Sequence, residues 1–117
     1  SREIWQKRGV SVDITSATNL SYGDNEFDTV VASHVLEHIE DESTALIELA
    51  RVTSKRLIVV VPQGNVDEKN PGSPHLRYYN RVNFVQAFEK LPNVKKTKAY
   101  ILPHHHIDNL IMEIDFE

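Results

Sequence analysis

The sequence has 117 residues, a net charge of −4 and no cysteine, which suits one domain with a buried core and leaves neither a disulfide framework nor a thiolate metal site. Its acidic balance and scattered lysines give no electrostatic footprint for nucleic acid. The longest apolar run, Leu57 to Val61, is far below membrane-spanning length and no signal peptide opens the sequence, so a soluble cytoplasmic protein is expected.

Residues 1–9 carry Ile4 and Trp5 among charged neighbours and stop at Gly9, the pattern of a helix end. Residues 10–15, VSVDIT, alternate apolar and polar over one strand length, and SATNLSYGDNE then supplies a surface loop tipped by Gly23, Asp24 and Asn25. From Phe27 to His38 the chain reads FDTVVASHVLEH. Its small and β-branched residues suit a strand covered on both faces. Ser33, His34, Glu37 and His38 follow at the carboxyl end of that strand, the edge where open α/β sheets bind ligands.

A helix is expected to start at V-L-E-H-I, and the charged step at Glu40 to Ser43 divides the helical signal in two. Asp41 is the N-cap of the second part, over residues 42–52, with Leu46, Leu49 and Ala50 on its buried side. Glu48 and Arg51 face out or pair at i, i+3. Residues 56–61, RLIVVV, form a buried strand closed by Pro62. Residues 63–74 hold two prolines and two glycines and read as a long loop of the kind that is often functional. Asn80 caps a helix reaching Leu91, with Phe84, Val85, Phe88 and Leu91 at helical spacing. Residues 94–102 and 107–116 alternate at period two and, joined by PHHH, form an antiparallel hairpin. The fold class is therefore α/β, with a mostly parallel sheet and a C-terminal antiparallel hairpin.

The stretch FDTVVASHVLEHIEDESTALIELARVTSKRLIVVVP resembles the middle of a class I S-adenosylmethionine-dependent methyltransferase. The shared features are an FD opening a valine-rich strand, the V-L-E-H-I turn, the E-L-x-R-V helix end and an apolar strand closing on proline. HLRYYNRVNFVQAF resembles the segment before that family's last helix. The resemblance implies a shortened Rossmann-like methyltransferase sheet, a single domain over residues 1–117, S-adenosyl-L-methionine as cofactor and a small-molecule methyl acceptor. The family's glycine-rich turn after its first strand has no counterpart, since Gly9 and Gly23 stand alone and Gly64 and Gly72 lie in the later loop. Either the chain is the carboxyl-terminal part of a longer enzyme, or it is a relative lacking that element.

Carried over residue by residue, the resemblance makes Asp13 the candidate for the cofactor ribose. An alternative alignment on NLSY instead puts Ser16 and Ala17 beside the adenine. Ser33 and His34 match positions lining the cofactor pocket, and Gln63, His75, Arg77 and Tyr78 lie where the family meets substrate. Where the acceptor must lose a proton, His34 or His38 is the candidate base.

Two other readings compete. His34-Val-Leu-Glu37-His38 also fits H-x-x-E-H, in which two histidines on one helix face bind zinc and the glutamate activates water. That requires His34 inside a helix, whereas the strand before it places it in a turn; a histidine hydrogen-bonded at a helix start is the plainer account of His38, and no metal is expected. His104, His105 and His106 form a metal-binding tract by composition or a solvated turn. The third reading is a methyltransferase-like domain that binds no cofactor and acts as a structural or assembly module. Without the family's first strand, the Phe27 strand borders an open edge, so VSVDIT is expected to pair there or two chains to associate through it as a homodimer.

Overall fold

The computed structural model describes residues 3–6, 11–13, 18–64, 79–104 and 107–117. Its elements are β1 (Glu3–Gln6), β2 (Ser11–Asp13), β3 (Phe27–Ser33), a 3₁₀ turn (Leu36–His38), α1 (Glu42–Val52), β4 (Thr53–Pro62), α2 (Arg81–Ala87), β5 (Val94–His104) and β6 (Ile107–Phe116). The strands form a six-stranded sheet in the order β2-β1-β3-β4-β6-β5. β3 and β4 pair in parallel, and the other neighbours pair antiparallel. In direction, β2, β3, β4 and β5 run one way and only β1 and β6 oppose them. This is the expected Rossmann-like α/β sheet with its C-terminal antiparallel hairpin, and β6 lies between β4 and β5.

The β3-α1-β4 unit forms for local reasons. Asp41 caps α1, accepting from the Thr44 N–H at 3.1 Å and from the Thr44 hydroxyl at 2.7 Å. Ala45, Leu46, Leu49 and Val52 form its buried side and share one core with Val30 and Ala32 of β3 and Leu57, Val59 and Val61 of β4. Burying each leucine contributes about 2 kcal/mol relative to leaving it in water. At its other end α1 passes into β4 without a loop. The Thr53 N–H bonds to the Ala50 carbonyl and the Thr53 hydroxyl to that of Leu49, at 2.7 Å, so β4 starts three residues before the apolar run that marked it.

Asn80 caps α2 by accepting from the N–H groups of Val82 and Asn83, both at 2.9 Å, while the Asn83 side chain accepts from the Asn80 N–H at 2.8 Å. Regular helix stops at Ala87 rather than Leu91, and Phe88 to Leu91 continue as turns. Phe84 and Phe88 are buried, their rings edge-on at 5.1 Å. Val85, expected beside them, is 44% exposed because the short helix turns only a narrow face inward.

Three expectations are corrected at the start of the sheet. Glu3–Gln6 is a strand, not a helix end. It, and not VSVDIT, lies beside β3, with Glu3 opposite Ser33 and Gln6 opposite Val30. VSVDIT contributes the three-residue β2 on the far side of β1. An open β3 edge would leave a row of backbone donors and acceptors unpaired, and satisfying it outweighs the local helix signal. The edge that invited a second chain is thus paired from within. Among the described residues the remaining edges are the short β2 and β5, where Lys95, Lys96, Lys98 and Pro103 discourage further pairing. Among the described residues no helix is long and apolar enough to cross a membrane.

Candidate functional site

At the carboxyl end of β3 the chain leaves the sheet through His34, whose φ of 57° is the left-handed conformation that few non-glycine residues adopt. Its N–H still bonds to the Val60 carbonyl at 2.8 Å, extending the ladder one residue beyond the strand. The expected V-L-E-H-I helix start is a single 3₁₀ turn, closed by His38 N–H to Val35 carbonyl at 3.1 Å. Val35, Leu36 and Ile39 anchor the turn in the core. With its backbone fixed at both ends, His34 reaches across the end of β4, and its Nε2 lies 3.1 Å from Oδ1 of Asn109 on β6.

Gln63 follows β4 at the same rim. Its N–H bonds to the Asp108 carbonyl at 2.8 Å, and it forms a parallel bridge with Tyr79, whose carbonyl accepts from the Gly64 N–H at 3.0 Å. Tyr79 is buried, stacks edge-on against Phe84 and donates its hydroxyl to Glu42. This packing holds Gln63 with its Oε1 buried and without a hydrogen-bond partner among the described residues. Such an atom costs about 1–3 kcal/mol if left unmet, and a ligand carrying N–H or O–H donors would satisfy it. The ends of β3, β4 and β6 thus bring the backbones of Ser33, His34, Gln63 and Asn109 to one rim, where the His34 and Asn109 side chains meet and Ser33 is half-buried.

The H-x-x-E-H zinc reading is overturned by this geometry. His34 precedes the turn and its Nε2 meets Asn109, while Nε2 of His38 lies 3.8 Å from Oε2 of Glu37, a carboxylate only 2% exposed. The two imidazoles are thus committed to different partners. Among the described residues no group of three or more His, Asp or Glu could hold a metal ion. His38 is almost buried, its side chain 9% exposed.

Asp13 ends β2 opposite Glu3, which on its other side opposes Ser33, so Asp13 and Ser33 end level at one rim. Ser16, Ala17, His75, Arg77, Tyr78, His105 and His106 lie outside the described residues. His104 closes β5 opposite Ile107, which puts the hairpin tip at the rim that carries His34 and Gln63. Asn109 was not singled out by the sequence. Its signal is the polar pair Asp108-Asn109 opening an otherwise apolar alternation.

At the opposite, amino-terminal rim, Arg51 makes five hydrogen bonds: to Glu48 at 2.9 and 3.0 Å, to Asp24 at 2.8 Å, and to the Tyr22 and Leu20 carbonyls at 2.8 and 2.9 Å. Glu48 also accepts from the Leu20 N–H at 2.9 Å, and the Asn25 N–H bonds to the Arg51 carbonyl at 2.7 Å. The E-L-x-R-V helix end is thereby a staple that fixes the loop entering β3. Hydrogen bonds from Arg51 hold the Glu48 carboxyl below the usual carboxylate range, against the opposing push of burial, and Glu48 and Asp24 push the guanidinium above its ordinary value. Farther along the sheet, the Arg56 guanidinium bonds to Asp115 at 2.7 Å and likewise lowers that carboxyl.

A sequence profile described as methyltransferase domain matches residues 2–61, just over half of the chain. The chain belongs to that family. Over 52 residues it is 31% identical to ajmaline N-methyltransferase of Rauvolfia serpentina, a match spanning 44% of this chain and 18% of that enzyme. Among solved structures it resembles an S-adenosylmethionine-dependent methyltransferase of Thermotoga maritima, described as a possible histamine N-methyltransferase, with a TM-score of 0.68 and 19% identity over 86% of this chain and 61% of that one. It also resembles magnesium protoporphyrin IX methyltransferase of Synechocystis with bound S-adenosylhomocysteine, with a TM-score of 0.62 and 17% identity over 86% and 48% of the two chains. At these identities the structural likeness is one of fold.

Proposed function

We propose that the chain is one methyltransferase-like domain, part of an S-adenosylmethionine-dependent enzyme that methylates a small-molecule acceptor in the cytoplasm. Family membership and the S-adenosylhomocysteine-bound structural neighbour support the reading. The observation that carries it is the Oε1 of Gln63, buried without a hydrogen-bond partner among the described residues, at the carboxyl rim that also holds the His34–Asn109 pair. An amide oxygen there fits a ligand bearing N–H or O–H donors, which the ammonium and ribose of the cofactor and an amine or hydroxyl acceptor all provide. In this reading Ser33 and His34 line the cofactor side with Asp13, or with Ser16 and Ala17, and Gln63, His75, Arg77 and Tyr78 face the acceptor.

S-adenosylmethionine, when bound, supplies a methyl group already activated on a sulfonium sulfur. The protein's work is then to align the acceptor and exclude water. Ser33 and His34, with Asp13 or with Ser16 and Ala17, would hold the cofactor, which would supply that methyl group to the acceptor's lone pair. If the attacking atom carries a proton, the free ring nitrogen of His34 takes it. Gln63 holds an acceptor N–H or O–H in line through its amide oxygen.

One observation favours the second reading, a module without cofactor: the strand beside β3 runs antiparallel to it, so no strand end carrying a glycine turn comes to that position from β1. A thermal-shift titration with S-adenosylmethionine and S-adenosylhomocysteine decides between the two. Ligand at a hundredfold excess over Kd adds about 2.7 kcal/mol, roughly a 10 °C rise for a chain of this size. No rise with either compound, the chain remaining folded, would leave the module reading.

A further inference from the structure

We propose that Asn109 is a positioning residue: its Oδ1 accepts from Nε2–H of His34 and so fixes the imidazole tautomer in which Nδ1 carries the free lone pair. The contact is 3.1 Å long and joins the end of β3 to β6 across the end of β4. A neutral imidazole has one donor and one acceptor nitrogen, and an amide oxygen only accepts, so Nε2 is the donor and Nδ1 the base. Both partners are held. His34 has its N–H on the Val60 carbonyl and its φ at 57°, and Asn109 is half-buried in β6 opposite Pro62.

The other rim histidine gives the contrast. His38 lies beside the Glu37 carboxylate, whereas the partner of His34 is an uncharged amide that orients the ring without adding a negative charge. The part of the inference that gives Nδ1 to the acceptor rests on the methyltransferase reading; the tautomer and its cause do not.

The test uses ¹⁵N-labelled protein, with the His34 ring signals assigned by their loss in His34→Gln. Wild type is expected to show a protonated Nε2 and a pyridine-type Nδ1, and added S-adenosylhomocysteine to move the Nδ1 signal. Asn109→Leu is expected to speed exchange of the Nε2 proton with water about fivefold or more, the worth of one hydrogen bond, and Asn109→Asp, which keeps an accepting oxygen, to restore slow exchange. Asn109→Ala replaces the leucine variant should that chain fail to give a folded amide spectrum. An Nδ1–H tautomer in wild type, or unchanged exchange after loss of the amide, overturns the inference. S-adenosylhomocysteine that raises the melting temperature yet leaves Nδ1 unmoved overturns the role of Nδ1 while the proposed function stands. The expected tautomer and exchange rates without any thermal shift would support the Asn109 pairing and remove the proposed function.

Discussion

The two rims of the sheet are built on opposite plans. At the amino-terminal rim Arg51 uses its guanidinium on Glu48, Asp24 and two backbone carbonyls, so charge meets charge and the loop before β3 is clamped to α1. At the carboxyl rim the His34 imidazole meets the Asn109 amide, and the Gln63 amide oxygen is buried without a hydrogen-bond partner among the described residues. The first arrangement is complete without a ligand. The second leaves a buried acceptor without a partner among the described residues, which fits the ligand-binding role proposed for it.

Changes at the two rims should therefore act on different observables. Arg51→Met is expected to cause the largest fall in urea midpoint, because it removes all five bonds of the clamp. A larger fall from a single change at the carboxyl rim would break the comparison. His34→Val, which puts a β-branched residue at positive φ, is expected to destabilise by about 1–2 kcal/mol. His34→Gly should relieve that strain and leave stability within about 1 kcal/mol of wild type while abolishing the His34 ring response to S-adenosylhomocysteine. Denaturant titration of the pair checks the difference.

Gln63→Leu replaces an amide whose buried oxygen has no partner among the described residues by an apolar group of similar size. It should leave the fold as stable or up to about 1 kcal/mol more so, yet weaken the thermal shift given by S-adenosylhomocysteine. A clear loss of stability would mean that the amide serves the fold. The smallest effect is one of pH. The folded-state values of Glu48 and Asp115 lie below their ordinary ones, so the stability they add is full at neutral pH. It is lost as pH falls below about 4 toward the folded values. Glu48→Gln should flatten part of that acid decline in urea midpoints, and an unchanged decline would show that the clamp does not depend on the ionised carboxylate.

What the sequence disclosed follows the range of the forces involved. α1 was legible to the residue because Asp41, Glu42 and the Leu46, Leu49, Ala50 spacing are local signals, and β3, β4 and the hairpin were legible from runs and alternation. The first residues were misread because Glu3–Gln6 becomes a strand only through a requirement of β3, more than twenty residues away. Of the rim residues, His34 and Gln63 were candidates because strand ends are recognisable and the family resemblance points to them. Asn109 did not, since its pairing with His34 spans 75 residues and no pattern within one element encodes it.

The placement of β6 has a consequence for the order of events during synthesis. It is the last strand of the sheet in sequence, yet it lies between β4 and β5. As the polypeptide emerges, β3, α1 and β4 can assemble from near neighbours, but the contacts that seat β6 against β4 must wait. Until residue 109 has arrived and entered that gap, the His34 ring lacks its Asn109 partner. The His34–Asn109 contact thereby waits for the hairpin, whereas the β3-α1-β4 unit can form from near neighbours.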